Sequence, residues 1–305
     1  MESGPHITIV ICTYNRAGYL NDTMRDIAAQ TAEPSDFELI VINNNSDDHT
    51  DEVCDRFRQT NPNIQFKSIF ESRQGLSFAR NRAILEATTP TLLFIDDDVK
   101  IPTTFVETAV TYSNSRSNTL CAGGRIHVSF DEEEKEPNWI PSELMPMFGL
   151  HDLGDEDKMY PQTNFPRGGN MMIRKSVFDA FGLFDTTLGR SGKTLLGSEE
   201  KAFFERIRKN GIQMRYWAEM VLTHRIGSHR LSLEYLKNQS IGIGKSERLR
   251  VKEEPMKFMK KLFSELFKIV GSIVLSILYL IRGRARAAWF MQRFRYWVLK
   301  GFLQG

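Results

Sequence analysis

The sequence predicts an α/β fold, a mainly parallel sheet with helices on both faces, followed by a C-terminal helical tail. Three observations predict it. Apolar strand-like runs alternate with helix-like segments over residues 6–95, polar clusters fall just after those runs, and the chain turns basic and amphipathic towards its end. With 305 residues, 41% of them hydrophobic, the chain can bury a domain-sized core and carry an appendage. The expected division is a body over 1–230 and a tail over 231–305.

Strands are expected at residues 6–13, 37–43, 64–69 and 90–95, with helices at 19–30, 50–59 and 76–87 between them. Strand–helix alternation of this kind gives parallel pairing with both sheet faces covered. Ligands then bind beyond the carboxyl ends of the strands. Three polar clusters sit there: Thr13-Tyr14-Asn15-Arg16, Asn43-Asn44-Asn45-Ser46-Asp47-Asp48, and Asp96-Asp97-Asp98. Beyond Lys100 come a helix over 103–112 and a strand over 119–130. An acidic, Pro- and Met-rich excursion over 131–160 follows, of a kind that is usually functional or mobile. The glycine pair Gly168-Gly169 precedes a strand and a short helix. The next helix has Ser198 as its expected N-cap and Gly211 as its C-terminal stop. A last strand or two ends near His224.

The net charge of +2 conceals an asymmetry: residues 251–305 hold eleven Lys/Arg against three Asp/Glu, and the body is mildly acidic. Cys12, Cys54 and Cys121 show neither a disulfide framework nor zinc-ligand spacing, which fits a reducing cytosol. The N-terminus has no basic n-region, so its first apolar run reads as a strand. In the tail, residues 269–281 are thirteen in a row without a charge, short of the ~18–20 that cross a bilayer as a helix. Lysines precede them and Arg282, Arg284 and Arg286 follow. Peripheral attachment of residues 252–305 to the cytoplasmic face of a membrane is therefore expected, the basic flanks meeting anionic headgroups. The alternative is a C-terminal helix buried against the body. No nucleic-acid partner is expected.

LLFIDDDVK, residues 92–100, runs a buried strand into three aspartates. Asp96 and Asp98 have period-2 spacing and can face one side roughly 6–7 Å apart. Two carboxylates held so close suit a hard divalent ion, Mn2+ or Mg2+, which also takes phosphate oxygens. The competing reading is a solvated loop of acids. No GxGxxG follows the first strand and no GxxxxGK[ST] occurs, which removes the support for dinucleotide and P-loop readings.

ICTYNR, ELIVINNNSDD, GLSFARNRAI, FIDDDV, RGGNMMIRKSVFDAFGLFD and GSEEKAFFERIRKNG, in that order and spacing, resemble the family-2 glycosyltransferases of the Rossmann-like GT-A fold over roughly residues 6–230. The resemblance implies an inverting enzyme that moves a sugar from a nucleotide-diphosphate sugar to an acceptor hydroxyl. It implies donor contacts from Thr13, Tyr14, Arg16, Asn43, Asn45, Arg80, Asp96 and Asp97. Tyr14 would stack on the base. Asn43 stands where relatives usually carry an aspartate, adding a donor and removing a charge. Asp97 would face away or reach the ribose. The implied metal ligands are Asp98, Asp96 and His224, with Gly168, Gly169 and Asn170 on the sugar and acceptor side. Glu199 and Glu200 match the pair that supplies the catalytic base; Glu200 takes that role and Glu199 an orienting one, with the reverse left open. The implied acceptor is a saccharide or lipid-linked saccharide, as in bacterial relatives that build surface polysaccharide. Two other readings compete: a metal-dependent sugar nucleotidyltransferase, and a catalytically degenerate sugar-nucleotide binder.

Overall fold

The computed structural model describes residues 6–131, 137–189, 198–251 and 254–304. The chain divides into two compact units. Residues 1–128, 149–186 and 199–225 form the first, and 129–148, 187–198 and 226–305 the second.

In the first unit, β1 (Ile7–Thr13), β2 (Phe37–Asn43), β3 (Gln65–Phe70) and β4 (Thr91–Asp96) pair in parallel. Helices α1 (Ala17–Ala28), α2 (Thr50–Thr60) and α3 (Leu76–Glu86) connect them. Next along the chain come β5 (Val99–Lys100), α4 (Phe105–Ser115), β6 (Cys121–Phe130), β7 (Lys158–Met159), β8 (Asn170–Arg174), α5 (Lys175–Phe181), α6 (Glu199–Lys209) and β9 (Met214–Ile226). The sheet order is β3-β2-β1-β4-β8-β6-β9-β5, with β7 on β9. The half beyond β4 is antiparallel where its register is defined: β8 against β4 and β6, and β9 against β5 and β7. Of the excursion expected over 131–160, residues 132–136 lie outside the described residues; 142–148 form a 3-10 turn and 158–159 a short strand.

The apolar runs are continuous because each strand serves two cores. Ile7, Ile9, Ile11, Leu39, Val41, Leu93 and Ile95 face Leu20, Met24, Ile27, Phe57 and Phe105 of the helices on one side. The alternate positions Val10, Ile40, Ile42, Leu92 and Phe94 face Ala79, Ala83, Phe178, Phe203 and Phe204 on the other. Edge strand β3 is only partly buried, and its Lys67 helps blunt the open edge. This two-sided packing fixes the strand ends, and hence the loops that carry the polar clusters.

In the second unit, α7 (Leu233–Val251), α8 (Pro255–Ile281) and α9 (Ala285–Gln304) pack together. Helices α7 and α9 cross at glycines: a Cβ on Gly244 would fall 2.1 Å from the Val298 carbonyl oxygen, and one on Gly301 2.1 Å from that of Ile241. At the end of α8, Gly283 (φ 71°) donates its amide to Leu280 and Arg284 donates to Tyr279. That left-handed stop reverses the chain into α9. Segment 129–148 groups with these helices, Tyr279 Oη donating to Glu143 Oε2 at 2.7 Å and Arg284 to the Asn138 carbonyl. Helix α8 has 27 residues, more than its uncharged run, and is long and apolar enough to cross a membrane by length and composition.

Candidate active site

The carboxyl ends of β1, β2 and β4 carry the candidate site, and two side chains tie their loops together. Asp48 Oδ2 accepts the Ala17 amide at the start of α1 at 2.9 Å, and its Oδ1 accepts the Thr50 amide at the start of α2 at 3.1 Å. One carboxylate thus caps two helices, where the helix dipole favours a negative charge. Asn44 is buried, donates to the Glu71 and Arg73 carbonyls, and accepts the Gly75 amide at 2.8 Å. Neither role is assigned by the sequence reading. For Asp48 a signal exists, because an acid two residues before a helix start is a capping pattern.

Asp98 is 2% exposed. Its Oδ2 accepts from Arg16 Nη1 at 2.7 Å and its Oδ1 lies 3.2 Å from His224 Nε2. β5 pairs Val99 with His224, which is how a histidine of β9 reaches the aspartate cluster. Ligand atoms of Asp96, Asp98 and His224 all lie within 4.8 Å of one another. Two carboxylate oxygens and an imidazole nitrogen suit a divalent ion of the Mn2+ type. Gly149 (φ 103°) closes the far side of the histidine: a Cβ there would sit 2.6 Å from Nδ1.

Asp97 turns away from that triad. It is buried, accepts from Thr13 Oγ1 at 2.8 Å, and binds the same Arg16 Nη1 at 2.9 Å. Burial pushes its carboxyl above the usual aspartate value, Arg16 opposes this, and Asp98 adds to it. For Arg16 burial works against the charge, but Asp97 and Asp98 outweigh it and raise the guanidinium above its ordinary value. Arg16, one of the expected donor contacts, is thus ion-paired with both aspartates.

Arg80 plays a matching part for the second acidic pair. Its side chain is 3% exposed, with Nη1 3.1 Å from Glu199 Oε1 and Nη2 3.0 Å from Glu200 Oε1. Burial would lower its basicity; Glu200 and Glu199 reverse the effect and raise it. Both glutamates open α6, where acids meet the positive end of the helix dipole. Gly168 and Gly169 link the two centres. A Cβ on Gly168 would fall 1.9 Å from Glu200 Oε1 and 2.1 Å from Arg80 Nη2, and one on Gly169 would fall 2.7 Å from Asp96 Oδ2. The glycine pair lets the backbone run between the aspartate cluster and the glutamate pair.

Tyr14 is 39% exposed, its ring open for stacking. Asn43 is buried and turned into its own loop: it accepts the Ser46 amide at 2.9 Å and donates to Asp51 Oδ1 at 2.7 Å. Asn45 has φ 63°, a conformation that asparagine tolerates in tight turns. Asn170 is buried and donates to the Arg125 and Met220 carbonyls at 3.0 and 2.7 Å, locking β8 beside its neighbours. Ser198 has φ 80°, and Gly211 (φ 83°) ends α6 as expected for a left-handed stop. Residues 190–197 before Ser198 lie outside the described residues.

The mixed α/β sheet thus gathers its acidic clusters at the strand ends, where α/β enzymes bind their ligands. The family model for glycosyl transferase family 2 matches residues 8–182, and the chain belongs to that family. It is a glycosyltransferase. Among curated relatives, it is 24% identical over 246 residues to the glucosyl-dolichyl phosphate glucuronosyltransferase of Haloferax volcanii, covering 80% of this chain and 76% of that one. With glycosyltransferase GlyA of Streptococcus pneumoniae it shares 29% identity over 160 residues, 52% of this chain but 20% of that protein. Among solved structures, it superposes on the mannosyltransferase PcManGT from Pyrobaculum calidifontis, in complex with GDP-Man and Mn2+, with a TM-score of 0.64. That match covers 99% of this chain and 87% of that one at 14% identity, so the likeness is one of fold.

Proposed function

We propose that the enzyme is an inverting, divalent-metal-dependent glycosyltransferase that takes a nucleotide-diphosphate sugar and glycosylates a saccharide or lipid-linked saccharide in cell-surface polysaccharide synthesis. The observation that carries this reading is the approach of Asp96, Asp98 and His224 to within 4.8 Å beside Gly168-Gly169, with Glu200 on the other side of the same glycines. Asp96, Asp98 and His224 would hold Mn2+ or Mg2+, which supplies electrostatic stabilisation of the departing diphosphate.

The remaining chemistry falls to the chain's own residues. An acceptor hydroxyl must lose a proton to a base as the new bond forms. Glu200 is the better placed of the two acids: its side chain is 20% exposed against 6% for Glu199. Arg80 holds the Glu200 carboxylate in place, and Glu199 fixes Arg80 from the buried side. Tyr14 and the loops fastened by Asn44 and Asp48 would receive the nucleotide.

The tail would hold the enzyme on the cytoplasmic face of a membrane, where a lipid-linked acceptor is presented. A relative named for transfer to glucosyl-dolichyl phosphate supports that acceptor class. A thermal-shift screen of nucleotide sugars with and without Mn2+ tests the donor reading, since a ligand that binds only the folded state raises Tm. The expected result is a Tm rise with one nucleotide sugar that depends on Mn2+; no rise with any of them refutes it.

A further inference from the structure

We propose that the α8–α9 hairpin beds in the plane of one leaflet of an anionic bilayer, apolar face of α8 downward, with neither helix crossing it. The proposal deepens the membrane-attachment reading and rests on it. Helix α8 is inside out relative to a helix of a soluble core. Phe263, Phe267, Val270, Val274, Ile277 and Ile281, spaced alternately four and three residues apart, are 52–79% exposed. They form one stripe about 27 Å long at 1.5 Å per residue. Glu265, Ser272, Ser276 and Tyr279, on the other face, are buried.

That buried face is satisfied from within the unit. Glu265 Oε1 accepts from Lys261 Nζ at 3.0 Å and from Lys268 Nζ at 2.8 Å. Gln292 Nε2 donates to Ser276 Oγ at 2.8 Å and to Ser272 Oγ at 3.2 Å. Glu265, Ser272 and Ser276 are thus partnered from within the unit, while the apolar stripe has no cover among the described residues.

The hairpin geometry decides between lying and crossing. Ser276 meets Ala288, Ser272 meets Gln292, and the Phe258 and Phe302 rings stack with centroids 5.2 Å apart. Helix α9 therefore runs antiparallel to α8 along its length. If α8 crossed a bilayer, Arg293 and Arg295 would be carried to mid-depth beside it, and Glu265 and Lys268 of α8 itself would enter the hydrocarbon; charges there are strongly disfavoured. In the plane, Lys257 and Lys260 at one end of the stripe and Arg282 and Arg286 at the other all reach headgroups of one leaflet. Trp289 and Tyr296 of α9, 48% and 56% exposed, suit the interfacial depth. The basic rim also disfavours a second copy of the chain as occupant, because like charges would be brought together.

Flotation of the full-length protein with preformed vesicles of phosphatidylcholine and phosphatidylglycerol tests this, combined with cysteine labelling. The protein is expected to float with anionic vesicles. Val274→Asp/Ile277→Asp should lower the partition coefficient at least about a hundredfold at unchanged Tm, because two side chains lose their apolar contact. In vesicle-bound Arg282→Cys, an impermeant maleimide added outside should label the turn above the wild-type background; Cys54 and Cys121 are buried and Cys12 is half-buried. Vesicle binding with the introduced thiol protected until detergent is added would show a crossing helix and overturn the in-plane proposal while leaving attachment standing. Undiminished binding of the double Asp variant would overturn the choice of face. No flotation with any vesicle would overturn attachment and the proposal together. A dimer that the double Asp variant converts to monomer, with no vesicle binding, would assign the stripe to a second copy.

Discussion

Replacing Gly168 with alanine probes the join between the two acidic centres. The added Cβ would lie 1.9 Å from Glu200 Oε1 and 2.1 Å from Arg80 Nη2, whereas non-bonded heavy atoms settle near ~3.5 Å. Glu200 and Arg80 must therefore withdraw by roughly 1.5 Å. Arg80 is 3% exposed and held by Glu199, so Glu200, the more exposed partner, takes most of the movement. A misplacement of about 1 Å in a catalytic group lowers turnover by about 10²-fold, equivalent to ~2.7 kcal/mol of barrier. Gly168 is not one of the glycines with a positive φ, so alanine adds no backbone strain. The assay is release of nucleoside diphosphate from the nucleotide sugar found by the thermal-shift screen, alongside the Tm shift given by that sugar. Expected are a kcat about a hundredfold lower and an unchanged donor-induced Tm rise. A kcat within about threefold of wild type in a folded variant would refute the placement of Glu200.

Further outcomes follow from the same geometry. Glu200→Gln should lower kcat by about 10²–10⁴-fold and leave donor affinity intact in calorimetry, with Glu199→Gln the milder change; the opposite order would make Glu199 the base. His224→Ala should weaken Mn2+ binding at least about tenfold in calorimetry without sugar present, and unchanged affinity would remove His224 from the ligand set. His151 is buried, its Nε2 2.9 Å from Tyr160 Oη, and burial followed by the charge of Arg167 lowers its pKa to about 4. As pH falls below ~6.5 the unfolded chain takes up a proton that the folded histidine refuses, so stability should drop between about pH 6.5 and 4, by up to ~3 kcal/mol. Denaturant melts of wild type and His151→Gln should differ in that slope; identical pH dependence would contradict the assignment.

Much of the first unit was legible because β1, β2 and β4 are mostly apolar and α1 and α2 carry a 3.6-residue amphipathic period, whereas β3 is mixed and α3 shows little periodicity and was placed by the alternation of its neighbours. The expected strand 6–13 is β1 (Ile7–Thr13), and the expected helix 76–87 is α3 (Leu76–Glu86). The two-residue strands β5 and β7 were not legible, since two residues show no period. The pairing of Arg80 with Glu199 joins residues 119 apart, and no local pattern announces it. Asn43 illustrates the limit from the other side: its position at the carboxyl end of β2 marks a ligand-facing loop, but only the fold shows its amide turned onto Ser46 and Asp51. In the tail, composition gave an apolar stripe and basic flanks. Which face the neighbouring helices cover depends on Ser272, Ser276 and Gln292 meeting across the hairpin, and that is a tertiary fact.

The central claim is that the aspartate and histidine cluster drives sugar transfer. The most direct measurement is nucleoside diphosphate release from the nucleotide sugar in Mn2+ by wild type and by Asp98→Ala, with Tm recorded for both. Wild type should turn over, and Asp98→Ala, still folded, should be slower by at least about 10²-fold. Turnover near wild type by folded Asp98→Ala would contradict it.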